Sequence, residues 1–129
     1  DFEVEHIADK YPLFCSEGEK ARAALARAFV LSSELVLMDE PFANLDRMTA
    51  DKIRTRLIAI LKENASAVLF VTHNLSEAVS LSDRVLVLSD KPTRVKTKVL
   101  IDLEKPRDEL LSEEVLAIER QLKNHLGGT

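Results

Sequence analysis

Two adjacent carboxylates, Asp39 and Glu40, stand where an uninterrupted apolar run, Leu35-Val36-Leu37-Met38, stops. In a phosphoryl-transfer site the first such carboxylate can hold Mg²⁺, directly or through its water, while the second orients and polarises an attacking water. The same pair also fits a solvated strand end with no chemistry at all. His73 follows a second apolar run, Ala67-Val68-Leu69-Phe70-Val71, after Thr72. Its imidazole could hydrogen-bond a terminal phosphate, or it could be an ordinary strand-end histidine. Ser16 and Gly18 bring a hydroxyl and backbone N–H groups to the start of a helical pattern, which suits either an anion site or a plain helix cap.

The elements that must position these residues follow from periodicity and capping. Tyr11-Pro12-Leu13-Phe14-Cys15 reads as a packed loop, because Pro12 interrupts a regular element between apolar neighbours. Ser16 followed three residues later by Glu19 fits a reciprocal capping box, and the stretch from Glu19 to Leu31 has no internal Gly or Pro, so a firm helix is expected. Leu35 to Met38 reads as a strand buried on both faces. Asn44 to Asp46 then makes a turn into a helix running to about Lys62, with Ile53, Leu57, Ile60 and Leu61 on its apolar side.

Beyond the strand from Ala67 to Val71, Ser76 to Ser82 is a short helix and Arg84 to Leu88 a third strand, followed by a turn through Asp90-Lys91-Pro92. Alternation from Val95 to Leu103 predicts a half-exposed, antiparallel strand near an edge, whose lysines discourage further pairing. A last helix from about Asp108 to Leu126 carries Leu111, Val115, Ile118 and Leu122, and Gly127-Gly128 ends it. That stripe is expected to pack on its own domain rather than on a partner. Apolar strands alternating with amphipathic helices predict an α/β, three-layer fold around a mainly parallel sheet, in which Asp39, Glu40, Thr72 and His73 share the rim at the carboxyl ends of the strands.

Composition narrows the classes. The 129 residues carry 22 acidic against 18 basic side chains, a formal net charge of −4, 46 % hydrophobic residues and no Trp. That is ample for one modest core, and it argues against a disordered chain and against a nucleic-acid binder, which needs a basic face with stacking aromatics. The longest uncharged apolar run, Ala65 to Thr72, is too short to cross a bilayer. The single Cys15 and the lack of a charged-then-apolar leader suggest a reducing, cytoplasmic setting. The three glycines are Gly18, Gly127 and Gly128, so neither GxGxxG nor GxxxxGK(S/T) occurs in these residues. Any phosphate cradle must come from elsewhere.

Order and spacing then tie the pieces together. Along the chain come Tyr11-Pro12, the segment Cys15-Ser16-Glu17-Gly18-Glu19, Ala24-Leu25-Ala26-Arg27-Ala28, Leu35 to Pro41, Ala43-Asn44-Leu45-Asp46 and Val71-Thr72-His73. This series resembles the ATP-binding-cassette (ABC) transporter ATPases, from the signature segment onward, over almost the whole chain. Thr72-His73-Asn74-Leu75-Ser76-Glu77-Ala78-Val79, Asp83 to Leu88 and Lys105-Pro106-Arg107 are most similar to the importer branch for nitrate, aliphatic sulfonates and taurine. The resemblance implies a P-loop NTPase-like core lacking its Walker A strand. It divides the chain into the end of the helical subdomain with the signature helix (1–31), the catalytic core (32–105) and a C-terminal helix (106–129).

The resemblance also implies roles. Asp39 becomes the Walker B carboxylate associated with Mg²⁺, Glu40 the general base or water-orienting residue, and His73 the switch histidine that senses the γ-phosphate. Asp46 becomes the D-loop aspartate that communicates with the opposite nucleotide site. Ser16 and Gly18 match signature residues that contact ATP bound by a second ATPase subunit. Transmembrane permease subunits would hold such a protein at the cytoplasmic face of the membrane. Two features depart from the family. Cys15, Glu17 and Glu19 replace the usual signature residues, and carboxylates near ATP phosphates repel them. The aromatic loop, Walker A and Q-loop of the family precede the signature and are not in this sequence. In the family fold the Walker A strand lies between the strand ending near His73 and the strand from Arg84 to Leu88. The chain is therefore expected to leave an interior gap, filled by the N-terminal part of the cassette or by a second copy, and to be inactive alone. A degenerate, non-hydrolysing remnant serving as an interaction or regulatory module is the alternative. An unrelated metalloenzyme using Asp39, Glu40 and His73 is disfavoured, since no third ligand stands at recognisable spacing.

Overall fold

The structure, a computed structural model, describes residues 2–31, 33–63, 66–105, 107 and 112–127. Ala65, Pro106, the expected helix start at Asp108, Leu111 and Gly128 lie outside the described residues. The chain divides into two compact units, residues 1–71 and 72–129.

In the first unit, two 3₁₀ turns, η1 (Glu5–Ile7) and η2 (Pro12–Phe14), lead into α1 (Glu17–Phe29). The expected packed loop at Tyr11 to Cys15 is corrected here. Pro12, with its φ preset by the ring, opens η2, and Tyr11, Leu13 and Phe14 all project into solvent. Helix α1 ends at Phe29, short of Leu31, and the Phe29 ring packs 6.1 Å from that of Phe2, which ties the start of the chain to the end of the helix. Then come β1 (Leu35–Asp39), α2 (Arg47–Glu63) and β2 (Ala67–Val71). The strands β1 and β2 are parallel, with Leu35 opposite Ala67, Leu37 opposite Leu69 and Asp39 opposite Val71. Helix α2 buries Ala50, Ile53, Leu57, Ile58 and Ile60, so its expected stripe stands with Leu61 at the margin.

The expectation that β1 is buried on both faces does not hold. Val36 and Met38 are buried, whereas Leu35 and Leu37 are 52 % and 68 % exposed. Leu69 and Val71, opposite Leu37 and Asp39, share that exposure. Alternate side chains point to opposite faces of a strand, and among the described residues of this unit only one face of the ladder is covered.

The second unit contains α3 (Leu75–Leu81), β3 (Arg84–Leu88), β4 (Val95–Leu100) and α4 (Glu113–Gly127). Strands β3 and β4 form the expected antiparallel ladder, which is shorter than the alternation to Leu103 suggested. The Asp90-Lys91-Pro92 turn joins them, with a cis Lys91–Pro92 peptide. The core is Val79, Val87, Val99, Ile101, Val115 and Leu122, with Leu75, Val85, Leu103 and Ile118 at its margin, so the α4 stripe packs on its own unit. Ser112 caps α4, its hydroxyl accepting from the Val115 N–H at 3.2 Å.

Arg107 holds this unit together in a way the sequence does not announce. It is only 4 % exposed, and its guanidinium donates to the carbonyls of Leu103, Val79, Ser82 and Ile101. A guanidinium has five N–H donors, and here all find carbonyls, which offsets the cost of burying a cation. Burial lowers its pKa, with the nearby Asp83 carboxylate opposing that shift. Two of the carbonyls, Val79 and Ser82, belong to the carboxyl end of α3, where carbonyls lack helical partners.

The sheet is parallel only in part: β1 pairs with β2 and β3 with β4, as two separate ladders among the described residues. Leu122 is fully buried and Leu126 half exposed. Leu122→Ala should therefore cost about 3 kcal/mol of unfolding free energy, and Leu126→Ala less than about 0.5 kcal/mol. Denaturant titration measures both, and equal losses would contradict packing of the α4 stripe within its unit.

Candidate functional site

Asp39 ends β1 with an exposed side chain, and Glu40 follows, partly buried, at the carboxyl end of the parallel ladder. The Glu40 N–H donates to the Val71 carbonyl at 2.9 Å, extending the ladder by one bond past Asp39. Glu40 then turns the chain with φ of 46°, a left-handed conformation that costs a residue with a Cβ, especially one preceding a proline. The Ala43 N–H closes the turn on the Glu40 carbonyl at 3.1 Å. Such conformations persist where surrounding bonds enforce them and are concentrated at functional sites. The strand end thus presents one exposed carboxylate and re-aims the next.

Asn44, with φ of 65°, continues the turn to Asp46. Asp46 caps α2: its Oδ1 accepts from the Thr49 N–H at 3.0 Å, and its carbonyl accepts from the Ala50 N–H at 2.9 Å. The Thr49 hydroxyl and the Thr49 and Met48 N–H groups hold the Asp46 carboxyl below its usual pKa.

Ser16 and Glu19 form the expected capping box. The Ser16 Oγ accepts from the Glu19 N–H at 3.2 Å, and the Ser16 N–H donates to Glu19 Oε2 at 2.8 Å. Lys10 Nζ lies 3.0 Å and His6 Nε2 3.3 Å from Glu19 Oε1. The Ser16 N–H and then Lys10 pull the Glu19 pKa down from 4.5 to about 2. Glu17 pairs with Lys20 at 2.7 Å, so both substituted carboxylates have cationic partners. Gly18 stands so close to α2 that a Cβ there would meet Thr49 Cγ2 at 2.8 Å. Thr49 therefore joins two expected site residues: its methyl packs on Gly18 and its N–H donates to the capping Asp46 carboxylate. Sequence reasoning missed it, although Asp46 followed three residues later by Thr49 is itself a capping signal.

His73 belongs to the second unit and is exposed, two residues past Val71. Asn74 caps α3, its Oδ1 accepting from the N–H groups of Ser76 and Glu77 at 3.0 and 3.4 Å. Among the described residues no group of three or more His, Cys, Asp or Glu could hold a metal ion by itself. The donor chemistry at Asp39 and Glu40 nevertheless suits Mg²⁺, a hard cation that takes one or two carboxylates and completes its shell with water and phosphate. Among the described residues no helix is long and apolar enough to cross a membrane.

No family model matches the chain. Similar proteins with curated descriptions do exist. An uncharacterized ABC transporter ATP-binding protein of Methanocaldococcus jannaschii is 48 % identical over 105 residues, 81 % of this chain and 39 % of that protein. The aliphatic sulfonates import ATP-binding protein SsuB of Granulibacter bethesdensis is 43 % identical over 107 residues, 83 % of this chain and 44 % of its own length. The chain belongs to the ABC transporter ATPases. A dimeric ATP-binding cassette in a post-hydrolysis state, bound to ADP and Pi, superposes with a TM-score of 0.66 at 29 % identity, covering 78 % of this chain and 42 % of that one. CbiO1 from Clostridium perfringens, part of the ABC transporter complex cbiONQ, gives 0.64 at 25 % identity, covering 95 % of this chain and 49 % of its own. The α/β, P-loop NTPase-like fold expected from the sequence is thereby established, and the chain spans less than half the length of these four ABC proteins.

Two outcomes test the local geometry. Gly18→Ala should destabilise by about 1–3 kcal/mol through the Thr49 clash, outweighing the helix propensity gained. In a Thr49→Ser background, which removes Cγ2 and keeps the hydroxyl, the same change should be neutral or stabilising in denaturant titration; an equal loss in both backgrounds would contradict the contact. The Glu19 carboxyl is depressed on folding, so the capping box contributes fully above about pH 4.5 and loses its contribution as pH falls toward 2. A carboxyl-carbon NMR titration should place the Glu19 midpoint near 2, and a midpoint near 4.5 would contradict the box.

Proposed function

We propose that the chain is the C-terminal portion of the ATP-binding subunit of an ABC importer, which couples ATP hydrolysis to solute entry from the cytoplasmic face of the membrane. The observation that carries this reading is the delivery of Asp39 and Glu40 at the carboxyl end of the β1–β2 ladder, followed by the fixed turn to Asp46. Asp39 would hold Mg²⁺, directly or through its water, and Glu40 would orient the attacking water. His73 would hydrogen-bond the γ-phosphate, Asp46 would face the opposite site, and Ser16 with Gly18 would meet nucleotide bound by the second ATPase subunit. Bound Mg²⁺ neutralises charge on the phosphates; positioning falls to the protein. The similarity to SsuB favours an aliphatic sulfonate as cargo, within the nitrate, sulfonate and taurine class that the sequence resembles, and permease subunits as the membrane partners.

In this reading the chain does not bind ATP tightly alone, because no phosphate-cradling glycine loop occurs in its sequence. The exposed leucines of β1 and β2, and the separate β1–β2 and β3–β4 ladders, support a role for the N-terminal part of the cassette, or a second copy, in completing the sheet. One observation favours the alternative of a non-hydrolysing remnant: the Ser16 hydroxyl and Glu19 are already engaged with each other in the capping box.

The test is ATPase activity of the chain alone and completed by the N-terminal part of the cassette. The chain alone should show no Mg²⁺-dependent ATP binding below millimolar concentration. The completed cassette should hydrolyse ATP, and Glu40→Gln should slow it roughly 10²-fold or more. Tight binding by the chain alone would contradict the missing cradle, and an inactive completed cassette would favour the remnant.

A further inference from the structure

We propose that Glu77 is a positioning residue for His73, acting through a hydrogen-bonded clamp that closes across the histidine from Thr72 to Asn74. The proposal rests on the reading of His73 as the phosphate-sensing histidine, and it adds a residue to which that reading gives no role.

Glu77 is only 7 % exposed, an unusual place for a carboxylate unless its oxygens are partnered. Thr72 Oγ1 donates to Glu77 Oε2 at 2.6 Å, and Asn74 Nδ2 donates to Glu77 Oε1 at 3.2 Å. The Thr72 hydroxyl oxygen also accepts from the Asn74 N–H at 3.1 Å. Asn74 Oδ1 in turn accepts from the Ser76 and Glu77 N–H groups, which fixes the orientation of its amide. One residue, His73, lies between the two clamped positions, and it is exposed.

A simple capping box does not account for this arrangement. There, a Glu at the third helical position accepts from the backbone N–H of the cap residue, as Glu19 does for Ser16. At α3 the Asn74 N–H goes to Thr72 Oγ1 instead, and the Glu77 carboxylate reaches to the side chains of Thr72 and Asn74. The buried carboxylate is thus directed at the two neighbours of His73. Pinning both flanks fixes the direction of the His73 Cα–Cβ bond while leaving the imidazole accessible, which is the preorganisation a phosphate contact needs.

Hydrogen-bond polarity supplies the test. Glu77→Gln can still accept from Thr72 but opposes an amide donor to the Asn74 amide donor. Adding Asn74→Asp restores an acceptor there and keeps the helix cap. The readout is the ¹⁵N order parameter of the His73 backbone in the 129-residue chain. It should be near 0.85 in the parent, fall to about 0.6 in Glu77→Gln with the second-unit core unchanged, and recover in Asn74→Asp/Glu77→Gln. Thr72→Val, which removes the hydroxyl and leaves Glu77 in place, should loosen His73 similarly, and it decides the matter should Glu77→Gln fail to fold. An unchanged His73 in a folded Glu77→Gln or Thr72→Val chain overturns the proposal, as does a double variant that folds with His73 still loose. The measurement uses no nucleotide, so its failure removes Glu77 from the mechanism without touching the hydrolytic reading. That reading fails separately, should His73→Ala leave ATP hydrolysis by the completed cassette intact.

Discussion

Backbone groups on the outer edge of a β-ladder, and apolar side chains on its face, have to be covered by something, and in this chain that requirement is met on one side only. Val36 and Met38 are buried on one face of β1, while Leu35, Leu37, Leu69 and Val71 of the β1–β2 ladder are exposed. The β3–β4 ladder repeats the pattern, with Val87 and Val99 inside and Leu86, Leu88 and Leu100 outside. Two-stranded ladders are marginal by themselves in water, and parallel strands in particular are normally covered on both faces. The same half-covered state matches the extent of the chain, which spans less than half of the ABC proteins described above.

Within each unit, polar groups rather than additional core hold the turns that carry the candidate chemistry. In the first, the Ser16–Glu19 box, the Gly18–Thr49 contact and the Asp46 cap link the start of α1 to the start of α2. In the second, Glu77 ties Thr72 to Asn74, and Arg107 gathers carbonyls from α3 and from the segment after β4. These networks are well satisfied, so they can keep the loops in place beside ladders whose outer faces are bare.

Much of this was legible in the sequence because the signals were local. The capping box followed from Ser16 and Glu19 alone, the α2 and α4 stripes from helical spacing, and the antiparallel β4 from alternation. The motif order pointed to the family. What could not be read depended on contacts distant in sequence. The run Leu35 to Met38 signals strand burial but not that only one face is covered, since nothing local in four consecutive apolar residues distinguishes the two faces. Tyr11, Leu13 and Phe14 look like core by type, yet among the described residues of the first unit nothing covers them. Arg107 gave no hint of burial because its partners are main-chain carbonyls, which leave no mark in a sequence. Thr49 and Glu77 show no individual role in the sequence for a similar reason: each looks like an ordinary helix residue until its contacts are placed.

The central proposal is that strands from outside these residues cover the open edges of β2 and of β3. Hydrogen exchange resolved by residue tests it most directly. By strand alternation, the N–H groups of Leu69 and Val87 face their ladder partners, whereas those of Val68, Phe70 and Leu86 face the outer edges. The account predicts that in the chain alone the edge amides exchange freely while their ladder-facing neighbours are protected, and that adding the N-terminal part of the cassette slows the edge amides to match. Equal protection of Val68, Phe70 and Leu86 in the isolated monomer would mean that β2 and β3 already pair, and would contradict it.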